Sequence, residues 1–177
     1  AARTERVQIG AGILPIYTRT PTLIAMTAAG IDALSDGRCV LGLGASGPQV
    51  IEGWHGVKYD APIGRTREIV EICRTIWARE DKLTHEGRFY TIPEARVIPK
   101  PWQKPHPPIY QVCGSEDGIE SSAARGWPML NSILTGPVDQ LVKRRDSYLT
   151  ALRKHGRGEP EIAALMIEPQ PHSKRTV

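Results

Sequence analysis

Short apolar runs alternate with longer amphipathic stretches through almost the whole of this sequence, and that order constrains the fold more than any single motif. Residues 7–13 read as a strand punctuated by Gly10 and Gly12. Residues 38–44, Arg-Cys-Val-Leu-Gly-Leu-Gly, are continuously apolar after the arginine, which suits a strand buried on both faces of a parallel sheet. Residues 108–113, 129–134 and 162–167 are three further strands. Helix patterns fill the gaps. Thr20 is placed to cap a helix with Pro21 at its first position, its apolar stripe at Leu23, Thr27, Ile31 and Leu34 and its stop at Ser35-Asp-Gly37. A second helix follows Asp60 or a neighbouring cap, with Ile69, Val70, Ile72, Cys73, Ile76 and Trp77 on one face. A third runs from a Ser115 cap to Gly126. The fourth is opened by Pro137 and stopped by Gly156, with Val138, Leu141, Val142, Tyr148, Leu149 and Leu152 at core spacing. Strict alternation of this kind predicts an α/β fold built on a parallel sheet.

One stretch breaks the pattern. Residues 80–108 are rich in proline and read as a long irregular excursion, with a short strand at 86–90. No linker interrupts the rest, so the expectation is a single domain over 1–168 followed by a tail at 169–177.

Composition narrows the partners. The net charge is +4, with 23 basic residues scattered among 19 acidic ones and no basic block, the pattern of a mixed solvated surface rather than a nucleic-acid footprint. No apolar stretch has the length of a membrane span. Cys39, Cys73 and Cys113 form an odd set without metal or disulfide spacing, and each lies in an apolar run. They read as small buried hydrophobes in a reducing, cytoplasmic setting. The histidines carry no metal-ligand spacing either.

Three glycine-bearing strand ends are candidate ligand loops. Gly42-Leu-Gly-Ala-Ser-Gly47 matches a dinucleotide fingerprint, with Asp60 as the ribose acid that fingerprint calls for. The prolines and glycines that follow fit poorly with the long helix a Rossmann site requires. The bare-backbone reading is a loop that lets a flat or phosphorylated ligand approach closely. Cys113-Gly-Ser-Glu-Asp runs from a strand into a helix start, which suits either a phosphate or a plain cap. The third is the strand end at Gly10-Ala-Gly12-Ile13. Trp54-His55 reads as a loop anchor, with a substrate-facing pair as the alternative.

Over residues 1–92 the sequence closely resembles the luciferase-like oxidoreductase superfamily, above all its coenzyme F420-dependent members. The stretches that carry the likeness are Ile9-Gly-Ala-Gly-Ile-Leu-Pro, Leu34-Ser-Asp-Gly-Arg-Cys-Val-Leu-Gly-Leu-Gly44 and Asp60-Ala-Pro-Ile-Gly-Arg-Thr-Arg-Glu. From Pro108 on, Ile-Tyr-Gln-Val-Cys-Gly-Ser is similar to the phosphate loop of flavin-type members. The resemblance implies a (β/α)8 barrel with coenzyme F420 or FMN at its C-terminal face. At 177 residues the chain is shorter than the roughly 250 of a complete barrel, so the expectation is a partial one, about strands three to seven. Carried over residue by residue, Gly12 and Ile13 would form a bulge with a non-prolyl cis peptide behind the cofactor ring. Gly44, Ala45 and Ser46 would lie beside the ring, and Gly114 and Ser115 would hold the phosphate. The acid that F420-dependent sugar dehydrogenases carry in the Gly44 loop is replaced here by Ala-Ser-Gly-Pro, so no catalytic residue is assigned. The implied function is a redox reaction on a small organic substrate. The alternatives are a truncated, non-catalytic chain that self-associates through exposed barrel edges, and a Rossmann-type NAD domain.

Overall fold

The computed structural model describes residues 1–78, 82–96, 98–132, 136–158 and 165–166. The chain forms two compact units, residues 1–112 and 113–177.

The first unit is built on three parallel strands, β1 (Ile9–Pro15), β2 (Cys39–Gly44) and β5 (Ile109–Val112), with β2 between the other two. Every residue of β2 except Val40 is buried, as its apolar run predicts. Helix α1 (Pro21–Leu34) starts as expected: the Thr20 hydroxyl accepts the Leu23 amide and Pro21 opens the first turn. Its buried face differs from the predicted stripe. Ile24, Ala25, Ala28, Ala29 and Asp32 face inward, whereas Leu23 and Leu34 are 47% and 79% exposed. The alanines let helix α3 (Pro62–Ala78) approach closely enough for the Trp77 indole N–H to reach the Ala25 carbonyl at 3.1 Å. Bulky leucines on that face would hold the helices apart. The predicted α3 core residues, Ile69 to Trp77, are all buried.

The excursion contains more order than its prolines suggest. Strands β3 (Leu83–Glu86) and β4 (Thr91–Ala95) form an antiparallel hairpin, so of the expected strand at 86–90 Glu86 ends β3 and residues 87–90 make the turn. Pro93 is tolerated because a two-stranded ribbon consists of edge strands. The turn is held from α3. Glu68 accepts the Phe89 amide at 3.0 Å, the Tyr90 amide at 2.8 Å and pairs with His85 Nε2 at 3.1 Å. Burial alone would raise the Glu68 pKa, but the His85 bond and the two amides outweigh it and hold it below the usual 4.5. A carboxylate depressed in the folded state stabilises at pH above its unfolded value, and that stabilisation is lost as pH falls through the folded one. Amide protection at Phe89 and Tyr90 should therefore collapse on acidification below about pH 4.5, before the β1–β2–β5 amides exchange. Simultaneous loss at both places would show that Glu68 does not control the hairpin.

The second unit comprises α4 (Glu116–Arg125), β6 (Met129–Ser132), α5 (Val138–Lys154) and β7 (Leu165–Met166), with β6 and β7 parallel. Ser115 caps α4, and Gly126 closes it in the left-handed conformation at φ 64°. The core gathers Cys113, Ile119, Ala123, Met129, Tyr148, Leu149 and Leu152. The Tyr148 hydroxyl donates to the Trp127 carbonyl at 2.6 Å. Two expected core positions face solvent instead, Val138 at 68% and Val142 at 49% exposure. Both flank Leu141, which takes the buried position. The predicted tail and the ends of the last two predicted strands lie outside the described residues.

Candidate functional site

In the first unit, the candidate residues stand at a defect in strand pairing. β1 and β2 pair at Ala11↔Leu41 and again at Leu14↔Leu43. Three steps along β1 match two along β2, so one extra residue is inserted around Gly12 and Ile13, a β-bulge. The bulge carries the Ala11 carbonyl over the Cα of Gly42, where a Cβ would overlap its oxygen. Gly42 thus serves the sheet rather than a dinucleotide. The expected bulge is present, but the cis peptide is not: among the described residues the cis bonds are Ile98–Pro99 and Lys104–Pro105. The extra residue re-aims the strand by itself, and the Gly12–Ile13 bond stays trans.

Gly12, Ile13, Gly44, Ala45 and Ser46 lie at the carboxyl ends of the parallel strands β1 and β2. A Cβ on Gly44 would sit 2.7 Å from Ile13 Cδ1, so these two residues pack directly on each other. Gly12 and Ser46 are exposed, and Ser46 takes a left-handed φ of 59° that turns the chain out of the sheet. The next element is a four-residue helix, α2 (Pro48–Ile51), not the long helix of a Rossmann unit. Buried Ile51 anchors this loop. Trp54, expected to do so, is 79% exposed.

In the second unit, Gly114 and Ser115 stand at the start of α4. The Ser115 hydroxyl accepts the Gly118 amide at 3.2 Å, leaving the Glu116 and Asp117 amides as first-turn donors without an intrahelical partner. Gly114 is exposed, and the atoms nearest to a Cβ placed there are Cζ and Nη2 of Arg144, each 3.9 Å away. A guanidinium and a helix N-terminus therefore meet at one bare stretch of backbone, a donor set that suits an anion. The carboxylates of Glu116 and Asp117 oppose it, but both side chains are exposed and solvent-screened. Arg144 was not singled out from sequence. Its neighbours in Lys143-Arg-Arg145 make it look like one of several helix-surface cations.

All three cysteines are buried, and burial raises Cys39 to about 11, Cys73 to about 12, and Cys113 against the opposing effects of Ser122 and Arg144. Among the described residues no histidine, cysteine and carboxylate cluster suits a metal ion, and no helix is long and apolar enough to cross a membrane.

Comparison with known proteins gives the family and the fold. A Mycobacterium tuberculosis protein named provisionally as a coenzyme F420-dependent oxidoreductase, Rv3520c, is 49% identical over 90 residues, 51% of this chain and 26% of its own. The F420-dependent glucose-6-phosphate dehydrogenase of Kineococcus radiotolerans is 34% identical over 129 residues, covering 71% of this chain and 37% of that protein. Among solved structures, monooxygenase RslO1 from Streptomyces bottropensis superposes with a TM-score of 0.74 at 30% identity, over 90% of this chain and 49% of that one. An F420-dependent secondary alcohol dehydrogenase with an F420–acetone adduct gives 0.73 at 20% identity, over 89% and 48%. An FMN-bound type II Baeyer-Villiger monooxygenase of Pseudomonas putida gives 0.72 at 19%, over 90% and 48%. The chain thus spans between a quarter and a half of these proteins, and its fold is the partial (β/α)8 barrel the resemblance implies. The luciferase-like monooxygenase model matches residues 1–176, and the chain belongs to the luciferase-like monooxygenase family rather than to the Rossmann dehydrogenases.

Proposed function

We propose that this chain binds coenzyme F420 or FMN and serves an oxidoreductase acting on a small organic substrate. The observation that carries the reading is the meeting of the Arg144 guanidinium with the open backbone at Gly114 and Ser115. That donor set fits a phosphoryl group. When bound, the cofactor supplies the redox chemistry, hydride exchange for F420 or oxygen activation for reduced FMN. The protein's share is binding and positioning. In the second unit, Arg144 and the first α4 amides would hold a phosphoryl group. In the first unit, Gly12, Gly44 and Ala45 would offer backbone and a small side chain to a flat ring, beside the packed pair Ile13 and Gly44.

Titration with F420 and with FMN, followed by amide shifts at Gly114 and Ser115, should give a Kd in the micromolar range, about −8 kcal/mol. Arg144→Gln should weaken binding about tenfold without changing the melt. If neither cofactor binds, or Arg144→Gln binds like the parent, the reading fails. Binding without turnover would support the second reading, a non-catalytic chain. An observation favours that reading too: among the described residues β1 pairs only with β2, which leaves its other edge open.

The same edge supports the proposed self-association. So does α1, whose single ionisable residue, Asp32, is buried while Leu23, Met26 and Leu34 face outward. Sedimentation of the titration samples reads this directly. Three buried free thiols support a reducing, cytoplasmic setting.

A further inference from the structure

A cavity of about 460 Å³ opens beside the end of β1. Its volume lies in the range of small-molecule sites. Ile16 forms part of its lining and is 1% exposed; its amide donates to the Gly44 carbonyl at 3.0 Å, which ties the cavity to the end of β2. The cavity is therefore adjacent to the loop through which the proposed cofactor reading runs, yet it shares none of that loop's residues.

The lining is cationic. Arg19, Lys58 and Arg65 face a single carboxylate, Asp60. Asp60 is committed to Arg65 at 2.8 Å. Among the described residues, Arg19 and Lys58 have no carboxylate within ion-pairing distance; Arg19 donates only to the Thr18 hydroxyl, at 3.2 Å. The first turn of α1, which borders the cavity at Pro21, contains no acid, so its dipole adds to the positive potential.

The walls are fixed before any ligand arrives. The Tyr17 hydroxyl donates to the Asp60 carbonyl at 2.6 Å, and the Tyr17 ring packs on Tyr59 with centroids 5.2 Å apart. The Arg65 guanidinium lies 5.8 Å from the ring centres of both Tyr17 and Tyr90. These contacts join the β1 loop, the segment before α3, and the hairpin turn. An aromatic wall beside Arg19, which has no ion pair among the described residues, and Lys58, whose nearest carboxylate is Asp60 beyond ion-pairing distance, has a definite chemical preference.

We infer that this cavity binds a small organic anion, its carboxylate or phosphate between Arg19 and Lys58 and its ring or apolar body against Tyr17 and Tyr90. The identification of that anion as the substrate rests on the function proposed above, whereas its binding does not.

The test is amide-resolved titration of the whole chain with inorganic phosphate and with phenyl phosphate, at ionic strength matched with chloride. Saturable shifts should appear at Arg19 and Lys58. Phenyl phosphate should bind about tenfold more tightly than inorganic phosphate, because only it reaches the tyrosines. Arg19→Gln with Lys58→Gln, both at exposed positions, should weaken phenyl phosphate at least tenfold and leave the cofactor response at Gly114 unchanged. The inference is overturned if the shifts at Arg19 and Lys58 are absent or linear, if the two anions bind equally, or if the double variant binds like the parent. Anion binding here with no response to F420 or FMN would retain the cavity assignment and reject the function proposal.

Discussion

Gly42→Ala is expected to lower the stability of the first unit by about 3 kcal/mol, as overpacking against rigid backbone does. The new methyl group would meet the Ala11 carbonyl oxygen inside the sheet, and no side chain can rotate out of its way. Relief requires either the bulge at Gly12 and Ile13 to flatten or β1 to move off β2. Both outcomes change the backbone proposed to face the cofactor ring, so F420 or FMN affinity should fall with stability. Two other glycines supply the controls. At Gly44 the one tight contact of the added Cβ is the Cδ1 tip of Ile13, at 2.7 Å, which can turn aside, and Cβ and O of Val112 lie at 3.4 Å, so Gly44→Ala should cost roughly 1 kcal/mol. Gly30 lies within α1 with nothing within 4 Å of its Cβ position, so Gly30→Ala should stabilise by about 0.5–1 kcal/mol. Denaturant melts of the three variants give the order directly. A Gly42→Ala protein as stable as Gly44→Ala would mean that the bulge does not depend on a bare Cα at position 42.

These glycines show where the sequence was readable. Alternation alone identified the parallel strands and four helices, because burial on both faces leaves an apolar run and a helix cap leaves a Thr or Ser at a fixed offset. The Thr20 and Ser115 caps are where the residue types place them. Which face of a helix turns inward was less legible. α1 buries alanines and exposes leucines because α3 demands close approach, a property of the partner rather than of α1. Pattern reading likewise missed the hairpin, since its turn is held by Glu68 from a distant helix. The candidate site divides the same way. Gly12 and Gly44 were marked by strand ends and by resemblance. Arg144, Arg19 and Lys58 are ordinary surface cations in sequence, and only the fold places one beside Gly114 and the other two on one cavity.

Asp32→Ala should produce the other large loss, about 4 kcal/mol, by leaving the buried Cys39 amide and the half-buried Gln103 amide without acceptors. Asp32 is fully buried at the end of α1. Its Oδ1 accepts the Cys39 amide at 3.2 Å and Gln103 Nε2 at 2.6 Å, and its Oδ2 accepts the Gln103 amide at 2.9 Å. Gln103 Nε2 also donates to the Cys39 carbonyl at 2.8 Å. One carboxylate thus fastens the start of β2 and the proline-rich excursion to the same helix end. Alanine removes both carboxylate oxygens at once and leaves Gln103 Nε2 with the Cys39 carbonyl alone. Asparagine keeps one oxygen but turns an NH₂ toward a donor, so Asp32→Asn should lose about 2 kcal/mol, an intermediate value. Because Asp32 and Gln103 share one network, Asp32→Ala and Gln103→Ala should be non-additive by about 1–3 kcal/mol in a double-mutant cycle. Hydrogen exchange supplies the local readout: the Gln103 amide should lose its protection in Asp32→Ala while α4 and α5 keep theirs. A Gln103 amide that stays protected, or a cycle that adds within about 0.5 kcal/mol, would show that the excursion is held by its prolines and packing instead.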